Sequence, residues 1–155
     1  MRNRFFITLL VAAWAFTVAA WAADSNVGTW KANIAKSKYS PGPAPKSQTL
    51  TIEAHDGGIK YSAHGENAQG APTHLEFSAK YDGMDNPTTG SPDNNSIAFK
   101  RIDANTVERI GKYRGEPIET VKYAVSADGK TLTFTTTGVN ANGQRINNVA
   151  VYEKQ

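Results

Sequence analysis

Three Asp-Gly or Asn-Gly dipeptides constrain the fold of this chain more than any other feature. They are Asp56-Gly57, Asp128-Gly129 and Asn142-Gly143, and each lies between two runs of alternating apolar and polar residues. Such a dipeptide between alternating runs is the strongest short-range signal for a β-hairpin, because both central residues of the tight turn need positive φ. The pattern therefore predicts three antiparallel hairpins.

Counting outwards from each two-residue turn predicts the strand register. In each hairpin the predicted partners place the apolar residues on one common face, so turn chemistry and hydrophobic pattern indicate the same buried side. The predicted pairs are Ile52 with Tyr61 and Leu50 with Ala63 in the first hairpin, Tyr123 with Phe134 and Val121 with Thr136 in the second, and Phe134 with Val151 and Thr136 with Val149 in the third.

The N-terminus predicts a secretory signal peptide over residues 1–23. Two arginines precede an apolar run over residues 5–23 that ends in Ala20-Trp21-Ala22. A positive start, an apolar middle and a small-residue exit are the three parts of such a signal. We expect cleavage after Ala22 or Ala23. The alternative is an uncleaved membrane anchor, since the run approaches the roughly 20 residues that span a bilayer.

Composition limits what the remaining chain can do. The full sequence has 17 basic residues, 14 acidic residues and no cysteine. Two of the basic residues precede residue 24, so residues 24–155 carry 15 basic and 14 acidic side chains, a net charge of +1. A charge so close to zero does not favour nucleic acid as a partner, and the lack of cysteine excludes a thiol nucleophile. We expect the chain to form one domain and to be a monomer. We expect it to be located in the periplasm or to be secreted.

Residues 24–155 are predicted to form this single all-β domain. Short strands alternate with turn residues, and the only helical feature expected is one short turn around residues 35–38. Two connections are long: the proline-bearing loop 34–46 and loop 82–95, which is rich in Gly, Pro, Asp and Asn. The expected strands are Val27–Asn33, Gln48–His55, Ile59–His64, Thr73–Tyr81, Ser96–Ile102, Thr106–Tyr113, Ile118–Ser126, Thr131–Val139 and Arg145–Glu153.

These mostly short connections favour an antiparallel up-and-down meander of about eight to nine strands. A two-sheet sandwich is the alternative, but sandwiches usually need long crossovers between strands that are not neighbours. Pairing of the last strand with the first would close the meander and remove its exposed edges. We therefore predict a closed β-barrel.

The motif Gly28-Thr29-Trp30 at the start of the first strand, followed by a loop and a β-meander, resembles the lipocalins and the wider calycin superfamily. This resemblance implies a barrel floor formed by Gly28 and Trp30, with Arg145 or Lys154 packed over the tryptophan. The Thr-Asp-Tyr-like motif of lipocalins proper is absent. The resemblance to uncharacterised bacterial exported proteins of lipocalin-like type covers most of residues 24–155, through Gly28–Lys31, Ser40–Pro45, Tyr81–Gly83, Lys100–Asp103, Asp128–Thr131 and Val151–Lys154.

The inward side chains of such a barrel are candidates for ligand binding. Barrels of about eight to ten strands can hold one small ligand, and a mostly apolar lining with a few polar groups is typical of small-molecule pockets. The alternative is that the same side chains fill the interior as an ordinary core. The candidate ligand-binding residues are Tyr61, Phe77, Tyr81, Arg101, Tyr123 and Phe134, with the small residues Ala54, Ala63 and Ala79 among them.

Arg101 is the most informative charged residue of this set. It alternates with Phe99, so it is expected inside the barrel, where its charge needs an anionic partner. A two-residue turn at Ala104-Asn105 would place Glu108 opposite Arg101. We favour this internal ion pair over an arginine that binds a ligand carboxylate or phosphate. Arg109 would then lie on the other face.

Two of the three histidines are predicted to face each other across a pair of strands. Counting around a loop centred on Gln69 places His64 opposite His74 on the polar face. A metal ion would need a third ligand, and Glu76 on the same face is expected to point away from a shared centre. We interpret these histidines as solvent-facing and predict no metal and no other cofactor.

No motif in the sequence specifies a catalytic chemistry. There is no Gly-x-Ser-x-Gly turn, no His-Glu-x-x-His and no glycine-rich phosphate loop between a strand and a helix. We therefore predict a non-enzymatic exported barrel that binds a small apolar or amphipathic molecule in its interior. The alternative is a structural or interaction protein of the cell envelope, with a filled barrel and functional loops 34–46 and 82–95. After signal cleavage we expect no membrane insertion and no nucleic-acid partner.

Overall fold

A computed structural model of the chain describes residues 24–140 and 142–155. The predicted signal peptide lies outside these described residues. Within them, no helix is long and apolar enough to cross a membrane. The described part forms ten strands, β1 (Gly28–Ala32), β2 (Ser47–His55), β3 (Gly58–Glu66), β4 (Pro72–Lys80), β5 (Asp82–Pro87), β6 (Ser96–Arg101), β7 (Thr106–Tyr113), β8 (Glu116–Val125), β9 (Thr131–Val139) and β10 (Arg145–Lys154), and one 3₁₀ turn, Ile34–Lys36.

The ten strands form one antiparallel sheet that is nearly closed into a calycin-like barrel. β1 pairs with both β2 and β10, which confirms the predicted closure between the first and last strands. β4 and β5 stand at the two ends of the sheet order. A single antiparallel bridge between Glu76 in β4 and Thr89 after β5 joins these two ends. We call this junction the seam.

The predicted strand count is too low because loop 82–95 contains β5. Nearly all residues of β5 are exposed, and the strand includes Gly83 and Pro87. It therefore lacks the apolar alternation by which sequence reasoning detects strands. Backbone pairing with β6, irregular between Asp82 and Asp85, is what makes this segment a strand.

The first two hairpins have the predicted register. Ile52 pairs with Tyr61 across β2 and β3, and Tyr123 pairs with Phe134 across β8 and β9. In the first hairpin Asp56 and Gly57 have φ of 47° and 76°. These positive values are those of a type I′ turn, the connection that matches the twist of the flanking strands.

The predicted register of the third hairpin is wrong by one residue. Phe134 pairs with Ala150, and Thr136 pairs with Asn148. Asn140 N–H donates to the Gln144 carbonyl and Gly143 N–H donates to the Asn140 carbonyl, both at 2.9 Å. The loop between these strands therefore contains an odd number of residues instead of two. A shift of one residue turns every side chain to the opposite face, so Val149 and Val151 do not line the interior.

The loop between β6 and β7 shifts the register in the same way. Arg101 pairs with Val107, and Glu108 pairs with Lys100. The Asp103 side chain accepts a hydrogen bond of 2.8 Å from the Asn105 backbone, which builds a longer turn than the predicted Ala104-Asn105. The predicted Arg101–Glu108 ion pair is therefore wrong.

Candidate ligand site at the open end of the barrel

One end of the barrel is closed by a buried tryptophan. The Trp30 side chain is fully buried, and its indole Nε1 donates a hydrogen bond of 2.9 Å to the Asn26 carbonyl. Lys154, rather than Arg145, lies over the ring, with its Nζ 5.1 Å from the ring centroid. A Cβ at Gly28 would lie 2.9 Å from the Lys154 Cε, so the glycine leaves room for that side chain.

Two of the candidate ligand-binding residues belong to this closed end. The Arg101 guanidinium forms an ion pair with Asp24 and lies 4.1 Å from the centroid of the Tyr81 ring. The Tyr81 hydroxyl donates to the Asp24 carboxylate at 2.9 Å. Burial raises the pKa of Tyr81 to about 12, with a further contribution from the Asp24 charge. Asp24 thus supplies the anionic partner that Arg101 needs.

The other four candidates form a continuous band of aromatic rings across the interior. The Tyr61 and Phe77 rings stack at 4.6 Å, and the Tyr123 and Phe134 rings lie 4.0 Å apart. Phe99 connects the two pairs, at 5.8 Å from Phe77 and 5.3 Å from Tyr123. Rings at these distances fill the middle of the barrel. Burial raises the pKa of Tyr61 well above its usual value and that of Tyr123 to about 12.

Above this aromatic band lies a buried ion pair that the sequence analysis did not identify. Arg109 from β7 pairs with Glu119 from β8, and their side chains are only 8% and 10% exposed. Burial alone would lower the pKa of Arg109, but the neighbouring Tyr123 and Glu119 raise it above its ordinary value, so the guanidinium stays charged. The Arg109 Nε–H is buried and has no hydrogen-bond partner in the described part of the chain.

Two glycines make room for this ion pair. Gly111 and Gly138 are the residues paired with Glu119 on its two sides. A Cβ at Gly111 would lie 2.5 Å from the Glu119 Cγ, and a Cβ at Gly138 would lie 2.6 Å from its Cα. Glycine inside a strand often marks such a close approach. These glycines were the signal in the sequence that could have indicated a bulky inward residue at position 119.

The two long loops fold over the open end, the end opposite Trp30. In loop 82–95, the buried Asn94 donates a hydrogen bond of 3.0 Å from its amide to the Glu119 carboxylate. Loop 34–46 lies along β10 through backbone bonds between Lys38 and Val149, and its Tyr39 packs against the core. The loops therefore cover part of the barrel mouth and one of them contacts the interior ion pair.

Two cavities at this end share Pro92 in their lining. The first, of about 340 Å³, lies at the rim and contains Tyr113, Ile118 and Val139 in its lining. The second, of about 320 Å³, reaches the inner face of the barrel through Ala63 and Leu75. We call the second one the mouth cavity. Its lining also includes Gln48, whose side-chain oxygen accepts a hydrogen bond of 2.5 Å from the Tyr152 hydroxyl.

The outer face of the same region carries the predicted histidine pair. His64 and His74 lie opposite each other across β3 and β4, as the sequence predicts. The expectation that Glu76 points away from them is wrong, because it offers a ligand atom within 4.8 Å of theirs.

Comparison with known proteins identifies a likeness of fold. No family model matches the chain, and no curated protein matches it. Among solved structures, the zebrafish ileal bile acid-binding protein complexed with cholic acid is similar, with a TM-score of 0.53 and 12% sequence identity. The match covers 84% of this chain and 99% of that protein. At this identity the likeness concerns the barrel fold.

Proposed function

We propose that the protein binds one small amphipathic molecule at the open end of its barrel. The observation that carries this proposal is the mouth cavity, which combines an apolar wall, Ala63 and Leu75, with the polar Gln48, the partner of the buried Tyr152. Its volume of about 320 Å³ is at the lower end of small-molecule sites. The similar zebrafish protein, which is a bile acid-binding protein by its title, supports a binding role for a barrel of this kind.

The polar groups near the cavity suggest which head group the ligand carries. Gln48 in the cavity wall bonds to Tyr152, and Tyr152 lies close enough to Arg109 for each to affect the pKa of the other. Because Glu119 already neutralises Arg109, a second full negative charge would not be well balanced there. We therefore expect an uncharged head that donates and accepts hydrogen bonds, such as a hydroxyl or an amide.

The ligand would lie nearer the open end than the residues from Tyr61 to Phe134, which the sequence predicted as its contacts. The band of rings from Tyr61 to Phe134 occupies the middle of the interior. Rings packed this closely leave no space for a ligand between them. The apolar part of the ligand would rest on the upper surface of this band, near Leu75.

We also propose that the protein is not an enzyme, because its sequence contains no catalytic motif. We propose further that it functions outside the cytoplasm, either in the periplasm or as a secreted protein. The charged start, apolar run and small-residue exit over residues 1–23 support export. Mass spectrometry of the exported protein is expected to show a chain that begins at Ala23 or Asp24. A chain that retains Met1 would instead support a membrane anchor.

Native mass spectrometry of protein from its own host's envelope fraction tests the binding function. We expect an extra mass that is lost on denaturation, and absent from protein that has been refolded. The variant Leu75→Trp fills the mouth cavity and is expected to reduce the adduct by about tenfold or more. Ile118→Trp fills the other cavity and serves as the matched control.

Two results would contradict this proposal. One is the absence of any adduct together with no thermal shift from a panel of amphipathic lipids and sterols, which would favour the filled barrel with functional loops. The other is loss of the adduct in Ile118→Trp and its retention in Leu75→Trp, which would move the site to the rim.

A further inference from the structure

We propose that His64, His74 and Glu76 form a binding site for Zn²⁺ on the outer face of the β3–β4 hairpin. The three residues come from two paired strands: His64 lies directly opposite His74, and Glu76 is two residues further along β4 on the same face. One ligand atom from each residue lies within 4.8 Å of the other two. We refer to the three residues as the zinc triad.

The distance between the two imidazoles is that of ligands on one metal ion. The two Nδ1 atoms are 3.1 Å apart. Two nitrogens bound to zinc at about 2.0–2.1 Å lie roughly 3.3 Å apart in a tetrahedral site. In the structure the two nitrogens form a hydrogen bond with each other, and a shared ion would replace the proton between rings that are already at a suitable separation.

Glu76 supplies the third ligand from the same face of β4 as His74. One of its carboxylate oxygens lies 3.6 Å from the His74 Nε2, and the two side chains are 45% and 40% exposed. This Nε2 nitrogen is not the Nδ1 that faces His64, so the Glu76 carboxylate has to turn toward the Nδ1 side of His74 when the ion binds. Exposed side chains of this kind rotate freely. Two histidines and one carboxylate form a common set of protein ligands in zinc sites with an open fourth position.

Ser62 orients the zinc triad without being a ligand itself. Its hydroxyl lies 2.8 Å from the His64 Nε2 and 3.4 Å from the other Glu76 oxygen. A hydrogen bond on one ring nitrogen leaves the other nitrogen to the metal and fixes the ring in place. Here it leaves the Nδ1 of His64 directed toward His74.

The site lies beside the seam. Glu76 forms both backbone hydrogen bonds of the bridge with Thr89, each 2.9 Å long. These bonds hold the backbone of Glu76, and an ion bound to the zinc triad would hold its side chain too. We therefore expect Zn²⁺ to stabilise the junction between β4 and the segment after β5.

Isothermal titration of the tag-free protein with Zn²⁺ tests the site. We expect one ion per chain and a rise in melting temperature on saturation. The variants His64→Ala, His74→Ala and Glu76→Gln are each expected to weaken binding by about tenfold or more, since each removes one ligand. His55→Ala is the matched control, because His55 is exposed at the end of β2 and pairs only with Asp56 among the described ion pairs.

A second measurement locates the ion. Substitution by Co²⁺, which is paramagnetic, is expected to broaden the backbone NMR signals of residues 62–64 and 74–76 before those of residues 54–57. The proposal is overturned if His55→Ala weakens binding as much as the triad variants do. It is equally overturned if the protein binds no Zn²⁺, or if all three triad variants retain affinity within about twofold.

Discussion

The Arg109 guanidinium and the Glu119 carboxylate are buried together on inward faces of adjacent strands. Taking both charges out of water is costly, and their mutual attraction offsets that cost only while both are present. Asn94 adds a hydrogen bond to the carboxylate. The energetic role of each residue therefore depends on its partner.

Removing one member of this pair is expected to lower the free energy of unfolding much more than removing both. Arg109→Met should lower the free energy of unfolding by about 3–5 kcal/mol, because it leaves the carboxylate buried without a counter-charge. The double variant Arg109→Met/Glu119→Gln should recover most of that loss. Urea denaturation of both variants measures the difference, and a double variant that is no more stable than Arg109→Met would show that the charges do not depend on each other.

Gly129 adopts a φ of +70° in the loop between β8 and β9. A β-branched residue is strained there, so Gly129→Val is expected to lower the unfolding free energy by roughly 1–3 kcal/mol. Asn tolerates this backbone region better, and a Cβ at this position meets no atom within 4 Å. Gly129→Asn should therefore lower the unfolding free energy clearly less than Gly129→Val does. Equal melting temperatures for the valine variant and the native protein would contradict the strain argument.

The contacts of individual side chains were the feature that the sequence predicted least well. Arg101 was correctly expected to need a carboxylate, but Asp24 lies 77 positions away in the chain, and no local pattern connects the two. Arg109 was assigned to the outer face because one turn was counted a residue too short. Only the turn geometry set by Asp103, which depends on a side-chain hydrogen bond, reverses that assignment.

At the scale of elements, the seam is the least supported contact between strands. Every other pair of neighbouring strands in the described part is joined by several paired residues, whereas β4 meets the segment after β5 through one bridge. Elements with few backbone bonds open most readily. Gly90 allows the two sides to approach, since its Cβ would lie 2.2 Å from the His74 carbonyl oxygen.

Substitution at Gly90 should therefore open the seam. Gly90→Ala is expected to destabilise the protein and to increase hydrogen exchange at Glu76 and Thr89. Gly83→Ala is the matched control, because Gly83 also has positive φ but its Cβ would meet no atom within 4 Å. Both variants carry the backbone cost of about 1–2 kcal/mol, and only Gly90→Ala adds the clash. Similar exchange at the seam in both variants would contradict this account.

Most strands were predictable because each side of their hairpins carries an apolar face. The type I′ turn at Asp56-Gly57 fixes its register by backbone conformation alone. The third hairpin was not predictable in the same way, because Asn140 side-chain bonds to the Asn142 and Gln144 backbones lengthen its loop. β5 escaped detection because it buries almost no side chain.

At the scale of the whole molecule, the described strands form a nearly closed barrel around a core that is packed in its middle. The pairing of the first strand with the last could be predicted from the short connections, which are visible in the sequence. Whether the interior is hollow depends on ring orientations across strands far apart in the chain, such as Phe99 with Tyr123 at 5.3 Å. Periodicity indicates that these rings point inward but not how they meet.

The tyrosines of this packed core predict how stability depends on pH. Burial raises the pKa of Tyr61, Tyr123 and Tyr152, in the case of Tyr123 from 10.0 to about 12. Below pH 10 these hydroxyls keep their protons in both states, so their contribution to stability is constant. Between about pH 10 and 12 the unfolded chain releases protons that the folded protein retains, and Tyr123 alone should cost up to roughly 2–3 kcal/mol. Urea denaturation at stepped pH measures this loss, and Tyr123→Phe, which keeps the ring, should show a shallower decline. An equally steep decline in that variant would mean that other groups unfold the barrel in alkali.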